Sequence, residues 1–163
     1  MRKVLRYGSD CSGIEAPYIA LCELVGTKVK IEHKFSCDSD SSVREMISVN
    51  FGPQIIYDDV FTRDPSTVPV VDIYTAGFPC QTFSTAGKRD GFGDDRGIVF
   101  FAVLDYIMLN RPKVVILENV KGLLTHDAGN SFEIIITSLK DIGIYNVYWD
   151  ILSPHEHGWP RYR

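Results

Sequence analysis

The sequence predicts an α/β fold built on a parallel sheet. Short apolar runs, largely of β-branched residues, alternate with segments whose apolar residues recur at helical spacing, as in strands joined by helices. Two runs, at residues 70–71 and 114–117, are continuously apolar, which is typical of strands covered on both faces. The chain has 163 residues and contains no internal repeat or linker, so we expect one domain over residues 1–163.

Runs of β-branched and aromatic residues predict six strands, at residues 4–7, 31–37, 55–57, 70–76, 114–118 and 145–152. After the first strand, residues 16–25 have the pattern of a helix, with Pro17 allowed in its first turn and Gly26 behind it.

Three further helices are predicted. One is expected to end at Gly52, and residues 98–109 are apolar nearly all round, which indicates a helix buried against the sheet. The last should begin at Asn130 as its cap, with Glu133 at the capping-box position, and end at Gly143.

Composition and charge exclude several classes of protein. With 45% hydrophobic and 23% charged residues, the chain is neither disordered nor a low-complexity polymer. No apolar run approaches the roughly 20 residues of a membrane-spanning helix, and the first residues lack the apolar core of a secretion signal. We therefore expect an intracellular protein with no membrane partner. The net charge of −4 argues against a uniformly basic surface for nucleic acid, although a local basic patch is compatible with it.

The chain contains four cysteines: Cys11, Cys22, Cys37 and Cys80. They form no CxxC pair and no zinc-ligand spacing, so we expect no metal site. Without a secretion signal, reduced thiols are expected rather than disulfides, and any of the four is a candidate nucleophile.

Residues 77–97 form a loop rich in glycine and polar residues. Loops longer than about 12–15 residues are uncommon in compact domains and are usually functional. This loop places Cys80 between Pro79 and Gln81, a setting that gives a thiol access and polar surroundings. Glu118 follows four apolar residues at the end of the next strand and is expected to be half buried. Taken alone, Cys80 is compatible with an inert thiol and Glu118 with a helix cap.

Polar residues also follow the first three predicted strands. Residues 9–15 form a tight turn around Gly13, Asp38 follows the second strand, and Asp59 lies just beyond the third. A carboxylate about 20 residues past the first turn suits a ribose diol, and Asp59 is placed to accept a hydrogen bond from an adenine amino group. Each residue alone has an ordinary explanation, but at three successive strand ends they indicate a nucleoside pocket.

Several long motifs now identify a family resemblance. Residues 72–101 read DIYTAGFPCQTFSTAGKRDGFGDDRGIVFF, with G-F-P-C-Q and G-F-x-D-x-R-G signatures, and residues 112–122 read PKVVILENVKG. Shorter matches follow at residues 129–130 and 158–160. In this order, and over essentially the whole chain, these segments resemble the cytosine DNA methyltransferases that methylate carbon 5.

The resemblance implies a Rossmann-like, S-adenosylmethionine-dependent methyltransferase sheet with three α/β/α layers. It also implies that a methyl group passes to carbon 5 of a cytosine flipped out of double-stranded DNA. The Cys80 thiolate would add to carbon 6 of the base, and Glu118 would hydrogen-bond N3 and the amino group. Arg163 resembles the first arginine of the family's Q-x-R-x-R segment and is the third catalytic candidate.

The resemblance also assigns the binding residues. The cofactor-binding candidates are Cys11, Ser12, Gly13, Ile14, Asp38, Ser39, Asp59, Val60, Phe78 and Pro79. The substrate-binding candidates are Gln81, Ser84, Lys88, Arg89, Arg96, Asn119 and Val120. Three residues depart from the family pattern. Cys11 replaces an aromatic residue that packs on the adenine, Glu15 replaces the second glycine of the turn, and Ser39 replaces a bulky residue.

Beyond the position of Arg163, the family continues with a last strand, a target-recognition region and a C-terminal helix. We therefore expect an incomplete catalytic domain, inactive alone, in which a second polypeptide is a candidate source of the target-recognition region. One alternative, from another functional class, is a catalytically inactive subunit that binds S-adenosylmethionine or DNA for a partner. Another is an RNA cytosine methyltransferase. A nicotinamide-dependent dehydrogenase is a third alternative, but G-x-G-x-x-G is missing and that function does not explain Cys80 with Glu118.

Overall fold

A computed structural model of the chain describes residues 3–79 and 99–158. The chain divides into two compact units, Met1–Val120 and Lys121–Arg163. In the described part of the first unit, five strands form a parallel sheet in the order β3-β2-β1-β4-β5. They are β1 (Lys3–Asp10), β2 (Val29–Cys37), β3 (Ile55–Tyr57), β4 (Ile73–Ala76) and β5 (Val114–Leu117). The predicted α/β fold with a parallel sheet is confirmed.

The strand order reverses beside β1. β2 and β3 lie on one side of it, while β4 and β5 lie on the other. Because parallel crossovers are right-handed, the helices α1 (Ala16–Val25) and α2 (Ser41–Asn50) cover one face, and α3 (Val99–Asn110) covers the opposite face. This arrangement leaves a crevice at the carboxyl ends of β1 and β4, which is where ligands bind in open sheets of this kind.

The helix boundaries follow local capping chemistry. α1 has the predicted bounds, and Gly26 (φ +52°) ends it by donating its N–H to the Cys22 carbonyl at 3.0 Å. α2 begins after Asp40, whose carboxylate accepts the N–H of Ser42 at 2.8 Å, a cap that the sequence analysis did not identify. Among the described helices, none is both long enough and apolar enough to cross a membrane.

Gly8 lies where the pairing of β1 with β2 shifts register. A Cβ at Gly8 would come within 2.3 Å of the Phe35 ring, which is fully buried in the core. Only glycine fits there, because neither the ring nor the strand has room to move away.

Aromatic rings fill the core between the sheet and α3. Tyr106 of α3 lies against Phe35 and Tyr74, with ring centroids 5.4 Å and 4.6 Å apart. The predicted burial of this helix is confirmed for its inner face only, because Phe101 and Leu109 on the outer face are about half exposed.

The prediction that β5 is covered on both faces is wrong for the described residues. Val114 and Ile116, which share one face, are 47% and 52% exposed. β5 is the outermost strand on its side of the described sheet, so less of the fold surrounds it. The strand predicted at residues 70–76 begins later, at Ile73.

The second unit contains the helix α4 (Asn130–Asp141). Asn130 is its first residue rather than its cap, because Gly129 (φ +92°) occupies the preceding position. The predicted capping box is therefore wrong. Gly143 (φ +77°) lies just beyond the helix, as predicted.

Residues 145–152, predicted to be a strand, have no regular secondary structure. A strand forms where a neighbour supplies its backbone hydrogen bonds, and none of the described strands pairs with this segment. Tyr148 is 87% exposed and Leu152 is 70% exposed, so the aromatic and apolar residues that predicted the strand are not packed as they would be in a sheet.

Candidate active site

Three strand ends meet around Gly77, the first residue after β4. A Cβ at Gly77 would lie 3.4 Å from the Glu118 Oε2 atom and 3.8 Å from the Cys11 carbonyl oxygen. The turn after β1 and the carboxylate after β5 therefore flank the residue that leads into the G-F-P-C-Q segment. This places candidates for the cofactor turn and for catalysis in one crevice, as the strand-end argument predicted.

The turn after β1 is fixed by hydrogen bonds to the end of β2. The Ser12 N–H donates to the Cys37 carbonyl at 3.0 Å, and the Ser12 hydroxyl accepts the Cys37 N–H at 3.0 Å. Cys11 and Gly13 both have left-handed backbones, with φ of 49° and 52°. Ile14, by contrast, points its side chain into solvent and is 70% exposed.

Asp38 contacts this turn directly. Its Oδ2 atom accepts the N–H of Gly13 at 2.9 Å, and its Oδ1 atom accepts the N–H of Asp40 at 3.0 Å. A carboxylate has about four acceptor positions, so two remain for a ligand such as a ribose diol. Arg44 donates to the Asp38 and Ser39 carbonyls, at 2.8 Å each, and holds the backbone on which the carboxylate stands.

Asp59 and Val60 lie half-buried in the loop after β3. One Asp59 oxygen accepts the N–H of Phe61 at 2.8 Å, which closes a tight turn and leaves the other oxygen available. The Asp38 N–H donates to the Tyr57 carbonyl at 3.2 Å, so the ends of β2 and β3 are also joined.

The same loop carries Arg63, which the sequence analysis did not single out. Its guanidinium donates to both carboxylate oxygens of Asp10, the last residue of β1, and both side chains are buried. Three aromatic rings surround the cation, and the Tyr57 ring is the nearest at 5.2 Å. The sequence signal for this pair was weak, because Asp10 ends a strand that also carries Lys3, Arg6 and Ser9.

Glu15 is a second buried charge beneath the turn, and the sequence analysis recorded it only as a departure from the family. Its carboxylate is completely buried and accepts hydrogen bonds from Ser9, Ser36 and Tyr7. Because successive residues of a strand face opposite sides, Ser9 reaches Glu15 on one face of the sheet while Asp10 reaches Arg63 on the other.

Glu118 is exposed, so the expectation that it would be half buried is wrong. Its strand ends at the crevice, and nothing among the described residues covers the side chain there. Asn119 donates its side-chain N–H to the Phe78 carbonyl at 2.7 Å, which ties the residues after β5 to those after β4. Val120 is 56% exposed.

Phe78 and Pro79 have different surroundings, although they are neighbours. Phe78 is buried and its ring lies 5.4 Å from that of Phe100, whereas Pro79 is exposed. Within the described residues, only Pro79 of this pair is therefore open to a ligand.

Two of the candidate nucleophiles are unsuited to that role. Burial raises the pKa of the Cys11 thiol to about 12, and the charges of Asp10 and Asp38 act in the same direction. Burial also raises the pKa of Cys37 far above neutrality. Both thiols are protonated at neutral pH, and only the thiolate is a strong nucleophile.

Seven site candidates lie outside the described residues. They are Cys80, Gln81, Ser84, Lys88, Arg89, Arg96 and Arg163. Their roles remain predictions from the sequence.

Comparisons with known proteins identify the family of the chain. A family model for C-5 cytosine-specific DNA methylase matches residues 11–163. The chain is 43% identical over 129 residues to the type II methyltransferase M.NgoBI of Neisseria gonorrhoeae, covering 79% of this chain and 40% of that protein. It is 36% identical over 157 residues to M.BsuFI of Bacillus subtilis, covering 93% of this chain and 38% of that protein. The chain thus spans about two fifths of these curated relatives.

Among solved structures, the chain resembles the S. pombe Dnmt2 methyltransferase with a TM-score of 0.62 at 22% identity, covering 82% of this chain and 41% of that one. It also resembles the WlbA dehydrogenase from Bordetella pertussis, with a TM-score of 0.53 at 12% identity, covering 88% and 35%. At these identities the two likenesses show only a shared Rossmann-like fold. The family match over residues 11–163, together with the sequence relatives, is specific: the chain belongs to the C-5 cytosine-specific DNA methylase family.

Proposed function

We propose that residues 1–163 belong to the catalytic domain of a DNA (cytosine-5-)-methyltransferase, which transfers a methyl group from S-adenosylmethionine to carbon 5 of a flipped cytosine. The observation that carries this proposal is the position of Glu118 beside Gly77, three residues before Cys80, in a crevice that also contains Asp38. A carboxylate suited to a base edge and a carboxylate suited to a ribose thus lie in the same crevice.

The described residues fit the proposed cofactor. Asp38 keeps two acceptor positions for the ribose hydroxyls, and Asp59 keeps an oxygen for the adenine amino group. The backbone from Cys11 to Ile14 would surround the rest of the molecule, with Ser39, Val60 and Pro79 at its edges, while the buried Phe78 ring supports Pro79 from below. When bound, S-adenosylmethionine supplies an activated methyl group.

The chemistry on the base would belong to Cys80 and Glu118. The Cys80 thiolate adds to carbon 6, and the electron density that this releases makes carbon 5 nucleophilic. Glu118 donates to N3 and accepts from the amino group, which stabilises the charge that develops on the ring. Once the methyl group is on carbon 5, loss of the carbon-5 proton restores the double bond and expels the thiolate. Asn119 holds the Phe78 carbonyl, which positions the backbone just before Cys80.

We place the DNA contacts on the polar residues that follow Cys80, because the lysine and arginine side chains among them can bind phosphates. They are Gln81, Ser84, Lys88, Arg89 and Arg96, with Asn119 and Val120 beside the base. We further propose that target reading requires polypeptide beyond these residues, either continuous with Arg163 or supplied by a second chain. The half-exposed apolar face of β5 supports such an addition. The reaction would take place inside the cell, where its DNA lies.

A covalent trap tests this proposal. In DNA with 5-fluorocytosine at the target, carbon 5 holds no proton to lose after methyl transfer, so the Cys80 adduct cannot resolve. We expect the chain, fused to the C-terminal part of a type II relative, to form a complex with this DNA that survives denaturation and depends on S-adenosylmethionine. Cys80→Ser should abolish the complex, while Cys22→Ser serves as the matched control. Equal trapping by Cys80→Ser would show the mechanism to be wrong.

A further inference from the structure

A buried carboxylate stands directly beneath the cofactor turn. The Glu15 side chain is completely buried, and its Oε1 atom accepts the hydroxyls of Ser9 at 2.6 Å and Ser36 at 2.5 Å. Its Oε2 atom accepts the hydroxyl of Tyr7 at 3.0 Å, and His33 Nε2 lies 3.3 Å from Oε1. Such a set of donors is the condition under which a buried charge is stable.

The directions of these hydrogen bonds follow from counting protons. A serine hydroxyl has one proton, and Ser9 gives its proton to Glu15. The contact of 2.7 Å between the hydroxyls of Ser9 and Ser12 is then donated by Ser12, whose one proton also faces the carbonyls of Cys37 at 3.1 Å and Ser9 at 3.3 Å. On the other branch Ser36 gives its proton to Glu15, so the proton of His33 Nε2 is shared between Ser36 at 2.9 Å and Glu15 Oε1 at 3.3 Å.

Three hydroxyls donate to Glu15, and only that of Ser9 leads to the cofactor turn, since Tyr7 leads to Thr75. The Ser12 hydroxyl accepts the Cys37 N–H at 3.0 Å, and the Ser12 N–H donates to the Cys37 carbonyl. These bonds place the next residue, Gly13, against Asp38. The path Glu15–Ser9–Ser12 therefore joins a buried charge to the backbone that would surround the cofactor. The branch through Ser36 leads only to His33.

The backbone at Glu15 is one that glycine would adopt more easily. Its φ of 56° lies in the left-handed region, which disfavours residues with a Cβ. Burial acts to raise the pKa of Glu15, but hydrogen bonds from His33, Ser36 and Ser9 hold it below its ordinary value. A glycine would relieve the backbone strain but could not accept these bonds.

We propose that Glu15 is a positioning residue that sets the cofactor turn through Ser9 and Ser12. The identity of the ligand, S-adenosylmethionine, rests on the proposed function. The ordering of the turn by Glu15 does not.

Ser9→Ala and Ser36→Ala form a matched pair that tests the proposal. Both serines are buried and both donate to the same oxygen of Glu15, but only Ser9 also accepts from Ser12. We expect similar losses of stability in the two variants. Ser9→Ala alone should weaken S-adenosylmethionine binding, by about 5- to 10-fold if one hydrogen bond is lost, and should speed amide exchange at Ser12 and Gly13.

A third variant, Glu15→Gly, tests whether the carboxylate matters beyond occupying a left-handed backbone position. If Glu15 only fills a left-handed position, glycine should leave affinity and amide exchange unchanged. The proposal instead predicts weaker binding, with no further loss when Ser9→Ala is added to Glu15→Gly, because both act through one path. If Glu15→Gly does not fold, the serine pair decides alone.

The outcomes separate this inference from the proposed function. Equal exchange and equal affinity in Ser9→Ala and Ser36→Ala would overturn the positioning role. If the parent chain does not bind S-adenosylmethionine, the assignment of the cofactor to this chain fails. Faster exchange at Ser12 and Gly13 in Ser9→Ala would then still support the role of Glu15 in ordering the turn, and unchanged exchange would overturn it.

Discussion

Arg63 Nη1 lies 2.6 Å from Asp10 Oδ1 in the buried core against one face of the sheet. The second terminal nitrogen of the guanidinium contacts the second carboxylate oxygen. The two side chains are 4% and 0% exposed. Since Arg63 belongs to the loop that carries Asp59 and Val60, this ion pair fixes that loop to the end of β1, the strand that leads into the cofactor turn.

Arg63→Met should destabilise the protein strongly, because it leaves the Asp10 charge buried without its partner. We expect a loss of about 3–5 kcal/mol in the free energy of unfolding, measured by urea denaturation. Adding Asp10→Asn to Arg63→Met should recover part of the loss, since the uncompensated charge is then removed. A loss below about 1 kcal/mol would mean that the pair is not buried as described.

Gly8→Ala should also destabilise the fold, for a steric reason. The added methyl group would lie 2.3 Å from an atom of the Phe35 ring, and overpacking of this kind costs about 1–3 kcal/mol or more. Gly26→Ala is the control, because no atom lies within 4 Å of its Cβ position and only the left-handed backbone is strained. Thermal unfolding should rank Gly8→Ala below the control, and the reverse order would contradict the packing at Gly8.

Asp72 should make the protein sensitive to acid. Hydrogen bonds from Arg6 and Lys113 hold the pKa of Asp72 well below its usual range. The unfolded chain therefore binds this proton more readily, so the contribution to stability is complete above about pH 4 and is lost as the pH falls toward the lowered value.

Asp72→Asn should lower stability at neutral pH by about 1.5–3 kcal/mol, as expected for hydrogen bonds to a charged group. It should also flatten the decline in unfolding free energy below about pH 4. Urea denaturation across this range measures both effects, with Asp64→Asn, an exposed carboxylate held only by Ser66, as the control. A decline as steep in Asp72→Asn as in the parent would assign the acid sensitivity to other groups.

Asp38→Ala should weaken S-adenosylmethionine binding by about 10- to 100-fold, because each hydrogen bond to a charged acceptor contributes about 1.5–3 kcal/mol. Isothermal titration calorimetry measures the change. Asp40→Ala is the control, since Asp40 caps α2 and lies two residues away without contacting Gly13. Unchanged affinity in Asp38→Ala would remove Asp38 from the proposed site.

The parts of the fold that depend on local pattern were predictable from the sequence. Runs of β-branched and aromatic residues located β1 to β5, and helical spacing located the four α-helices of the described residues. The rule that parallel strands end on one edge brought Gly13 and Asp38 together. The motifs then identified the family.

Contacts between distant residues were not predictable. Asp10 and Arg63 are 53 positions apart, and a loop arginine carries no periodic signal of a buried partner. The exposure of Glu118 was not predicted, because the apolar residues before it indicate a strand. They do not show whether other residues bury the end of that strand. Residues 145–152 are not a strand for a related reason, since β-branched and aromatic residues indicate a preference for extended structure but do not supply the neighbouring strand that it needs.

The contact between the Phe78 and Phe100 rings has a consequence for how changes in the core reach the crevice. The two rings are buried and their centroids lie 5.4 Å apart, so the residue before Pro79 is attached to α3. A substitution in α3 that shrinks the Phe100 ring would leave Phe78 less well packed and should shift the exposed Pro79. A change inside the core, with no contact to a ligand, should therefore alter the crevice at the end of β4.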